Sequence, residues 1–544
     1  MGYHEKPWLS LYGEHVSEHS QVKEMSLADL LKWSVETYGD QPALSFYEQK
    51  WSFKEVSETV QTLTNVLHSI GFTKGDRLAI MLPNTPHYVF TLFAVAQAGG
   101  VNVQVNPMYV EREVEHVLND SGATHMIVLD RLYPLVKKVQ AQTSLEKIIV
   151  VQLEEQQVDL EEGDLWFDEV KSMDVPQAPD VSCKPDEDIA LLQYTGGTTG
   201  VSKGVMLTHK NLMANAEQIY DFMFRPVDVP DAPKIMSILP MFHIYGLTCN
   251  VFLGFRAGCN QIILPRFELE EVVQTVKREK PFQFSAVPTM YIALNSHPNL
   301  EEYGFDQVDY YNSGGAAMPV EQLHLFEKRT GCNLCEGYGL SEASPTTHFN
   351  PPFRKRRVGS IGIPLPSLDA KVFQETDHGF VEAPIGEVGE LAVKGPQVMK
   401  GYWKRPAETD KVLKDGWLFT GDMARMDEDG YFYIVDRKKD MIIASGYNVY
   451  PREIEEVLYQ HPAVQEVIVV GVPDAYRGET VKAFIALKDQ EIVTEAEIIS
   501  YSSKFLAAYK VPKFVEFREE LPKSAVGKLL RRSLRDEELK RIEN

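Results

Sequence analysis

The sequence is short of cysteine and of positive charge, and it has no unbroken apolar run long enough to cross a membrane. Five cysteines in 544 residues do not make a disulfide framework, and a reducing cytosol fits that count. Cys332 and Cys335 form a C-x-x-C pair, but no second pair or nearby histidine completes a metal site. The spacing reads instead as a strand with two small buried residues. Lysine and arginine number 55 against 78 acidic residues, a formal net charge of −23. A phosphate polymer or an anionic membrane would be repelled over most of such a surface, whereas an anionic small ligand needs only a few local cations. The segment Met1 to Lys6 has neither the apolar core of a signal peptide nor the hydroxyl residue of a myristoylation signal. The most apolar stretch, over 78–105, is interrupted by Pro83, Asn84, Pro86, His87 and paired glycines, so it reads as strand, turn, helix and strand. Internal repeats and low-complexity segments are also missing.

What is present is a globular chain, 44% hydrophobic and long enough to need at least two domains. Between residues 36 and 264 apolar strands alternate with helical patterns, for example strands over 77–82 and 189–194 and a helix over 88–97. Such alternation predicts an α/β architecture with covered sheets. The stretch 358–434, rich in Gly-Glu, Gly-Pro and Asp-Gly turns, predicts a small and mostly β subdomain. Beyond residue 435 the pattern predicts a compact α+β domain, with helices over 453–459 and 495–508 and strands over 466–470 and 482–487. The expected division is 1–435 and 436–544, across the charged join Asp436-Arg437-Lys438-Lys439-Asp440.

The most informative segment is Tyr194-Thr195-Gly196-Gly197-Thr198-Thr199-Gly200-Val201-Ser202-Lys203-Gly204. It follows an apolar strand and precedes a helix expected to start near Thr208, an N-cap residue type. Its glycines let backbone N–H groups approach an anion closely, its threonines add hydroxyl donors, and Lys203 adds a charge. The common P-loop requires Gly-Lys followed by Ser or Thr; here Lys203 stands between Ser202 and Gly204, which disfavours a P-loop motor or kinase.

This loop resembles the signature of the adenylate-forming superfamily, which includes acyl-CoA synthetases, firefly-type luciferases and the adenylation domains of peptide synthetases. The resemblance continues in order through 239–246, Ser313-Gly314-Gly315-Ala316-Ala317-Met318-Pro319, Glu336-Gly337-Tyr338-Gly339-Leu340-Ser341-Glu342, Trp417 to Asp422, Arg437 to Asp440, Gly446 to Glu455 and Pro522 to Lys528. It implies a large N-terminal domain, with two α/β sheets plus a small β subdomain, and a small mobile α+β C-terminal domain. It also implies two half-reactions: carboxylate and ATP give acyl-AMP and pyrophosphate, then the thiol of coenzyme A displaces AMP.

The roles follow from the resemblance. Thr195, Gly196, Gly197, Thr198, Thr199, Gly200 and Lys203 would hold the phosphates, and Thr198 with Glu342 would bind magnesium. Gly315, Ala316 and Ala317, with Glu336, Gly337, Tyr338 and Gly339, would pack around the adenine, Ser341 would reach a phosphate, and Asp422 would accept both ribose hydroxyls. Ile434 and Arg437 belong to the nucleotide site, and Lys528 would bridge the substrate carboxylate and the α-phosphate. Lys439 would be the hinge, Gly446 and Tyr447 would face the pantetheine tunnel after a domain swing, and His243 would gate it. Asp commonly follows the equivalent of Phe242 in amino-acid-activating relatives; His243 would leave a substrate ammonium without a counter-ion. The Gly196-Gly197 form of the loop looks like that of bacterial long-chain fatty acyl-CoA synthetases, so a long fatty acid is expected. Its chain could lie among the apolar residues of 236–255 and 282–294. Aryl acids of the coumarate type, loading of a carrier protein and a non-catalytic nucleotide or acyl-CoA sensor are the alternatives. The end Arg541-Ile542-Glu543-Asn544 gives no support for a peroxisomal address. A cytoplasmic location is expected; loose peripheral contact with a membrane and a homodimer stay open.

Overall fold

The computed structural model describes residues 2–153, 158–195, 202–352, 354–377, 379–444, 447–474 and 477–543. Two large sheets dominate. In the nine-stranded sheet, six strands run parallel in the spatial order Leu334–Gly339, Tyr310–Ser313, Gln283–Ala286, Lys234–Ser237, Asn260–Ile263 and Pro42–Phe46, with antiparallel strands at both edges. The eight-stranded sheet is built on the parallel strands Ile189–Thr195, Val101–Gln104, Arg77–Met81, His125–Leu129 and Lys147–Val151.

These strands are mostly buried because both of their faces are covered, and several carry buried polar residues such as Asn102, Gln283 and Asn312. Arg77–Met81 shows the alternation: Leu78 and Ile80 enter the core shared with the nine-stranded sheet, while Ala79 and Met81 enter a second core with Val114, Leu118 and Val136. Helices Leu27–Tyr38, Phe53–Ser69, Pro86–Gln97 and His209–Ile219 belong to the shared core, and each has a hydroxyl N-cap accepting a backbone N–H: Ser26, Ser52, Thr85 and Thr208.

The helix expected to start near Thr208 is His209–Ile219, with Thr208 as its N-cap. A strand, Lys203–Thr208, comes before it and pairs antiparallel with Ile189–Thr195. Its alternation places Val205 and Leu207 in the shared core. The helix expected over 495–508 is Glu495–Ser502. Ser502 and Ser503 hydroxyls donate to the carbonyls of Ile499 and Ser500 at 2.9 Å each, competing with helix continuation. Of the C-x-x-C pair, Cys335 is buried on the strand Leu334–Gly339 and half-buried Cys332 precedes it.

A six-stranded antiparallel sheet spans Asp369–Thr376 to Phe432–Arg437. It is strapped to the rest by the N-terminal segment: Trp8 meets Phe432 edge-on at 6.0 Å, and the Tyr12 hydroxyl donates to the Pro364 carbonyl at 2.8 Å. The backbone leaves this sheet after Arg437, and a separate five-stranded sheet starts with Ile442–Ala444. That sheet carries its own apolar core with helices Pro451–Tyr459 and Glu495–Ser502. Among the described residues, no helix is long and apolar enough to cross a membrane.

Candidate active site

The carboxyl ends of several parallel strands from both large sheets converge on one cavity of about 1540 Å³, to which the C-terminal domain also contributes residues. Ligands in open α/β sheets bind beyond the carboxyl ends of the strands. This cavity exceeds the roughly 300–1,000 Å³ usual for a single small molecule. The strand Tyr310–Ser313 runs out into Gly314 to Ala317, Leu334–Gly339 into Ser341 and Glu342, Lys234–Ser237 into Leu239 to Gly246, and Gln283–Ala286 into Val287 to Thr289.

Thr195 and Lys203 line the cavity as cross-strand partners at the mouth of the glycine-threonine loop. Gly196, Gly197, Thr198, Thr199 and Gly200 lie outside the described residues, as does Gly446. Burial lowers the pKa of Lys203, whose ammonium pairs with Glu408 and sits 5.2 Å from the Tyr402 ring. Glu342 is the middle residue of the short helical turn Ser341–Ala343 and accepts the Tyr402 hydroxyl on Oε1 at 2.8 Å. Burial and the Glu342 carboxylate push the Tyr402 phenol well above its usual range, so the hydroxyl stays a donor. Among the described residues no group of three or more candidate metal ligands occurs. One carboxylate beside a phosphate loop is nevertheless the donor set magnesium uses when phosphate oxygens and water complete its shell, so Glu342 fits that ion.

Gly315, Ala316 and Ala317 are exposed to the cavity. Across it, strand register places Asp422 opposite Arg437. Asp422 is 6% exposed, and its two oxygens meet different partners: the Tyr338 hydroxyl at 2.5 Å and Arg437 Nε at 3.3 Å. Burial opposes the Arg437 charge, but Asp422 and its neighbours outweigh that and hold its pKa above the ordinary value. A carboxylate has about four acceptor sites, so Asp422 keeps capacity for hydroxyls beside these two bonds. Gly337, Gly339, Ser341 and Ile434 line the same wall.

Glu336 lines the cavity and also braces the loop beside it. Its buried carboxylate accepts backbone N–H groups of Met318 at 3.3 Å and Gly359 at 3.2 Å, which makes it a brace for the loop over 314–319. Burial raises its pKa to about 7, with Arg452 opposing and Glu456 adding to the shift.

The C-terminal domain contributes Lys528 from a tight loop closed by an antiparallel bridge between Lys523 and Leu529. Ser524 accepts the Lys528 N–H on Oγ at 3.1 Å, and Thr289 Oγ1 donates to the Gly527 carbonyl at 2.9 Å, tying the loop to the N-terminal domain. Next in the chain, Arg531 bonds Glu455 at 2.7 and 2.8 Å and reaches Asp436 at 3.4 Å, fastening the loop to the interdomain join. The Arg437 charge and then burial bring the Lys528 pKa down to about 7, with Lys439 and Arg531 adding to the effect. Burial and Arg437 likewise bring Lys439 to about 8. This cluster of positive charge is suited to meeting anions. His243 accepts the Tyr245 N–H on Nδ1 at 3.2 Å, and burial followed by the Lys528 charge lowers its pKa to about 4, so the ring is neutral at neutral pH.

Tyr447 is not brought to the cavity. It is 57% exposed and stacks on Tyr509 with centroids 4.7 Å apart, because its hairpin faces away in this domain orientation. Of the apolar stretches proposed for the acyl chain, Leu239, Pro240, Phe242 to Gly246 and Val287 to Thr289 with Ile292 line the cavity; Met241, Leu247, Val251 and Phe252 are core. Sequence reasoning missed Tyr402, Glu408 and Thr289. Their only local signal is a Gly-Tyr pair, a Pro-Ala-Glu-Thr helix start and a Pro-Thr helix start, all common in ordinary turns.

The family model described as AMP-binding enzyme matches residues 31–403, and that described as AMP-binding enzyme C-terminal domain matches residues 453–528. A long-chain-fatty-acid–CoA ligase of Bacillus subtilis (strain 168) is 44% identical, covering 98% of each chain. Another of that name from Escherichia coli O6:H1 is 41% identical, covering 99% of each. The crystal structure of ATP-bound MatB from Rhodopseudomonas palustris superimposes with a TM-score of 0.85 at 28% identity, covering 94% of this chain and 99% of that one. The chain therefore belongs to the AMP-binding enzyme family, with its catalytic and C-terminal parts both present.

Proposed function

We propose that this protein activates a long-chain fatty acid with ATP, releasing pyrophosphate and forming acyl-AMP, and then transfers the acyl group to coenzyme A. The observation that carries the reading is the convergence of Lys528, Asp422, Arg437, Glu342 and Lys203 on one cavity. The first half-reaction joins two anions, so positioning and charge neutralisation are its main requirements. Lys528 would stand between the carboxylate and the α-phosphate. Asp422 would hold the ribose, and the loop with Lys203 the β- and γ-phosphates. Magnesium, when bound at Glu342, supplies charge neutralisation at the leaving pyrophosphate. Neutral His243, which lines the cavity beside Phe242, gives no counter-charge to an amino group, which favours an unsubstituted acid. Whole-length similarity to the two bacterial ligases supports a long acyl chain.

The second half-reaction requires Lys528 to withdraw and Tyr447 to turn inward. A swing of the domain beyond residue 435 about Lys439 would achieve both. Loose contact with a membrane surface is part of the reading, since a long-chain acid partitions there; a homodimer is compatible with it. Incubation with ATP, magnesium, coenzyme A and fatty acids of graded length should yield AMP and pyrophosphate, with carboxyl oxygen label passing into AMP. Release of ADP, or AMP without label, would overturn the proposal.

A further inference from the structure

The strand Gly401–Tyr402 pairs away from the sheet that its neighbours in the chain build. It adds to the edge of the eight-stranded sheet, Gly401 against Met206 and Tyr402 against Val205. Two further bonds fasten it there, Lys400 N–H to the Met206 carbonyl at 3.0 Å and Trp403 N–H to the Gly204 carbonyl at 2.8 Å, while Tyr402 N–H donates to Thr409 Oγ1 of the helix Pro406–Val412 at 2.9 Å. Met399 N–H also donates to the Glu342 carbonyl at 2.8 Å, so the same segment holds the Glu342 turn from its backbone side. The Tyr402 side chain thus stands where the phosphate-loop strand meets Glu342. Its hydroxyl donates to Glu342 Oε1 at 2.8 Å, and its ring lies 5.2 Å from the Lys203 ammonium.

The terminal torsion of a glutamate is broad and roughly two-fold, so an exposed carboxylate samples many orientations. A hydrogen bond to one oxygen selects among them and directs the other. A ring face beside an ammonium attracts it through the ring quadrupole and restricts where it rests. One buried side chain therefore sets the geometry of both charges on the phosphate side of the cavity, although they come from different sheets.

We propose that Tyr402 is a positioning residue for adenylation: its hydroxyl orients Glu342 toward magnesium and its ring places Lys203 beside the phosphate loop, a role resting on the function proposed above. The second half-reaction involves neither magnesium nor pyrophosphate, so Tyr402 has no part in it. The Lys203–Glu408 pair belongs to the same arrangement, with Glu408 holding the ammonium until nucleotide phosphate takes it.

The test compares full-length wild type with Y402F, which keeps the ring, and Y402L, which removes it. Binding of Mn²⁺ in the presence of α,β-methylene-ATP, followed by electron paramagnetic resonance of free Mn²⁺, is the readout that does not depend on turnover. Loss of a hydrogen bond to a charged group corresponds to about a tenfold weaker Mn²⁺ affinity in Y402F. The half-saturating magnesium concentration for ATP–pyrophosphate exchange should rise by the same factor, while thioester formation from premade acyl-AMP is unchanged. Y402L should show the same metal defect plus weaker binding of the nucleotide analogue. Unchanged Mn²⁺ affinity in Y402F overturns the proposal. So does an equal fall in both half-reactions together with a lowered Tm, which would make Tyr402 merely structural. If wild type itself forms no acid-dependent AMP, the proposed function falls, and the Mn²⁺ comparison still decides the role of Tyr402.

Discussion

Lys528 owes its chemistry to the charges around it. With Arg437, burial, Lys439 and Arg531 all disfavouring its protonated form, its pKa is about 7. Anions arriving at the site reverse that balance and raise the pKa. At pH 8, binding of ATP together with a non-reactive acid analogue should therefore take up close to one proton at Lys528, with a smaller share at Lys439, whose pKa is about 8. Calorimetry in two buffers of different ionisation enthalpy measures this uptake, and K528A should remove the larger share of it. The same substitution should remove adenylation while thioester formation from premade acyl-AMP persists. Parallel loss of both half-reactions would refute the assigned role. Asp422 illustrates the limit of reading residues singly: its type suits a ribose, but its partners Tyr338 and Arg437 are visible only in the fold.

The loop that carries Lys528 works through its backbone. Gly527 has φ +74°, and a Cβ there would come within 2.8 Å of Thr289 Oγ1, the group that donates to the Gly527 carbonyl. Left-handed backbone costs a non-glycine residue about 1–2 kcal/mol, and the clash disturbs the one described hydrogen bond between this loop and helix Pro288–Ser296. G527A should thus lower the adenylation rate by roughly tenfold or more. Thioester formation from premade acyl-AMP should be nearly unaffected, and a matching loss there would contradict the loop's assignment to the first step. Strand pairing acts at this scale too. Register between Trp417–Met426 and Phe432–Arg437 sets Asp422 against Arg437, just before the backbone leaves for the C-terminal domain.

At the scale of the whole molecule, the two domains meet around carboxyl groups as well as cations. Glu336 from the nine-stranded sheet lies near Arg452 and Glu456 from the first helix of the C-terminal domain, and Glu456 Oε2 accepts the Val320 N–H at 3.5 Å. Burial raises the pKa of both carboxyls, Glu336 to about 7. A raised carboxyl pKa means that the folded protein holds its proton more tightly than the unfolded chain. Its contribution to stability is therefore greatest at low pH and is lost as pH rises from the unfolded value, about 4.3, toward about 7. Replacing Glu336 by Gln should remove that loss. Between pH 5 and pH 7.5, denaturant unfolding of E336Q should become more stable relative to wild type by on the order of 2 kcal/mol. Identical pH dependence in the two proteins would show that Glu336 is already ionised when folded.

The α/β alternation, the β-rich stretch over 358–434 and the ordered motifs were legible because covered parallel strands, turns and phosphate loops each restrict residue type locally. Local pattern did not reveal that a strand follows the phosphate loop, that Glu336 braces a loop from within, or that Tyr447 faces outward. Nor could it pair Tyr402 with Glu342, 60 positions apart, or Thr289 with Gly527, 238 apart. Chemical class is written in the kinds of side chain and their order along the chain. Which of them touch is decided by sheet order and domain closure, since hydrogen bonds act over about 3 Å and only the packed chain brings distant residues that close.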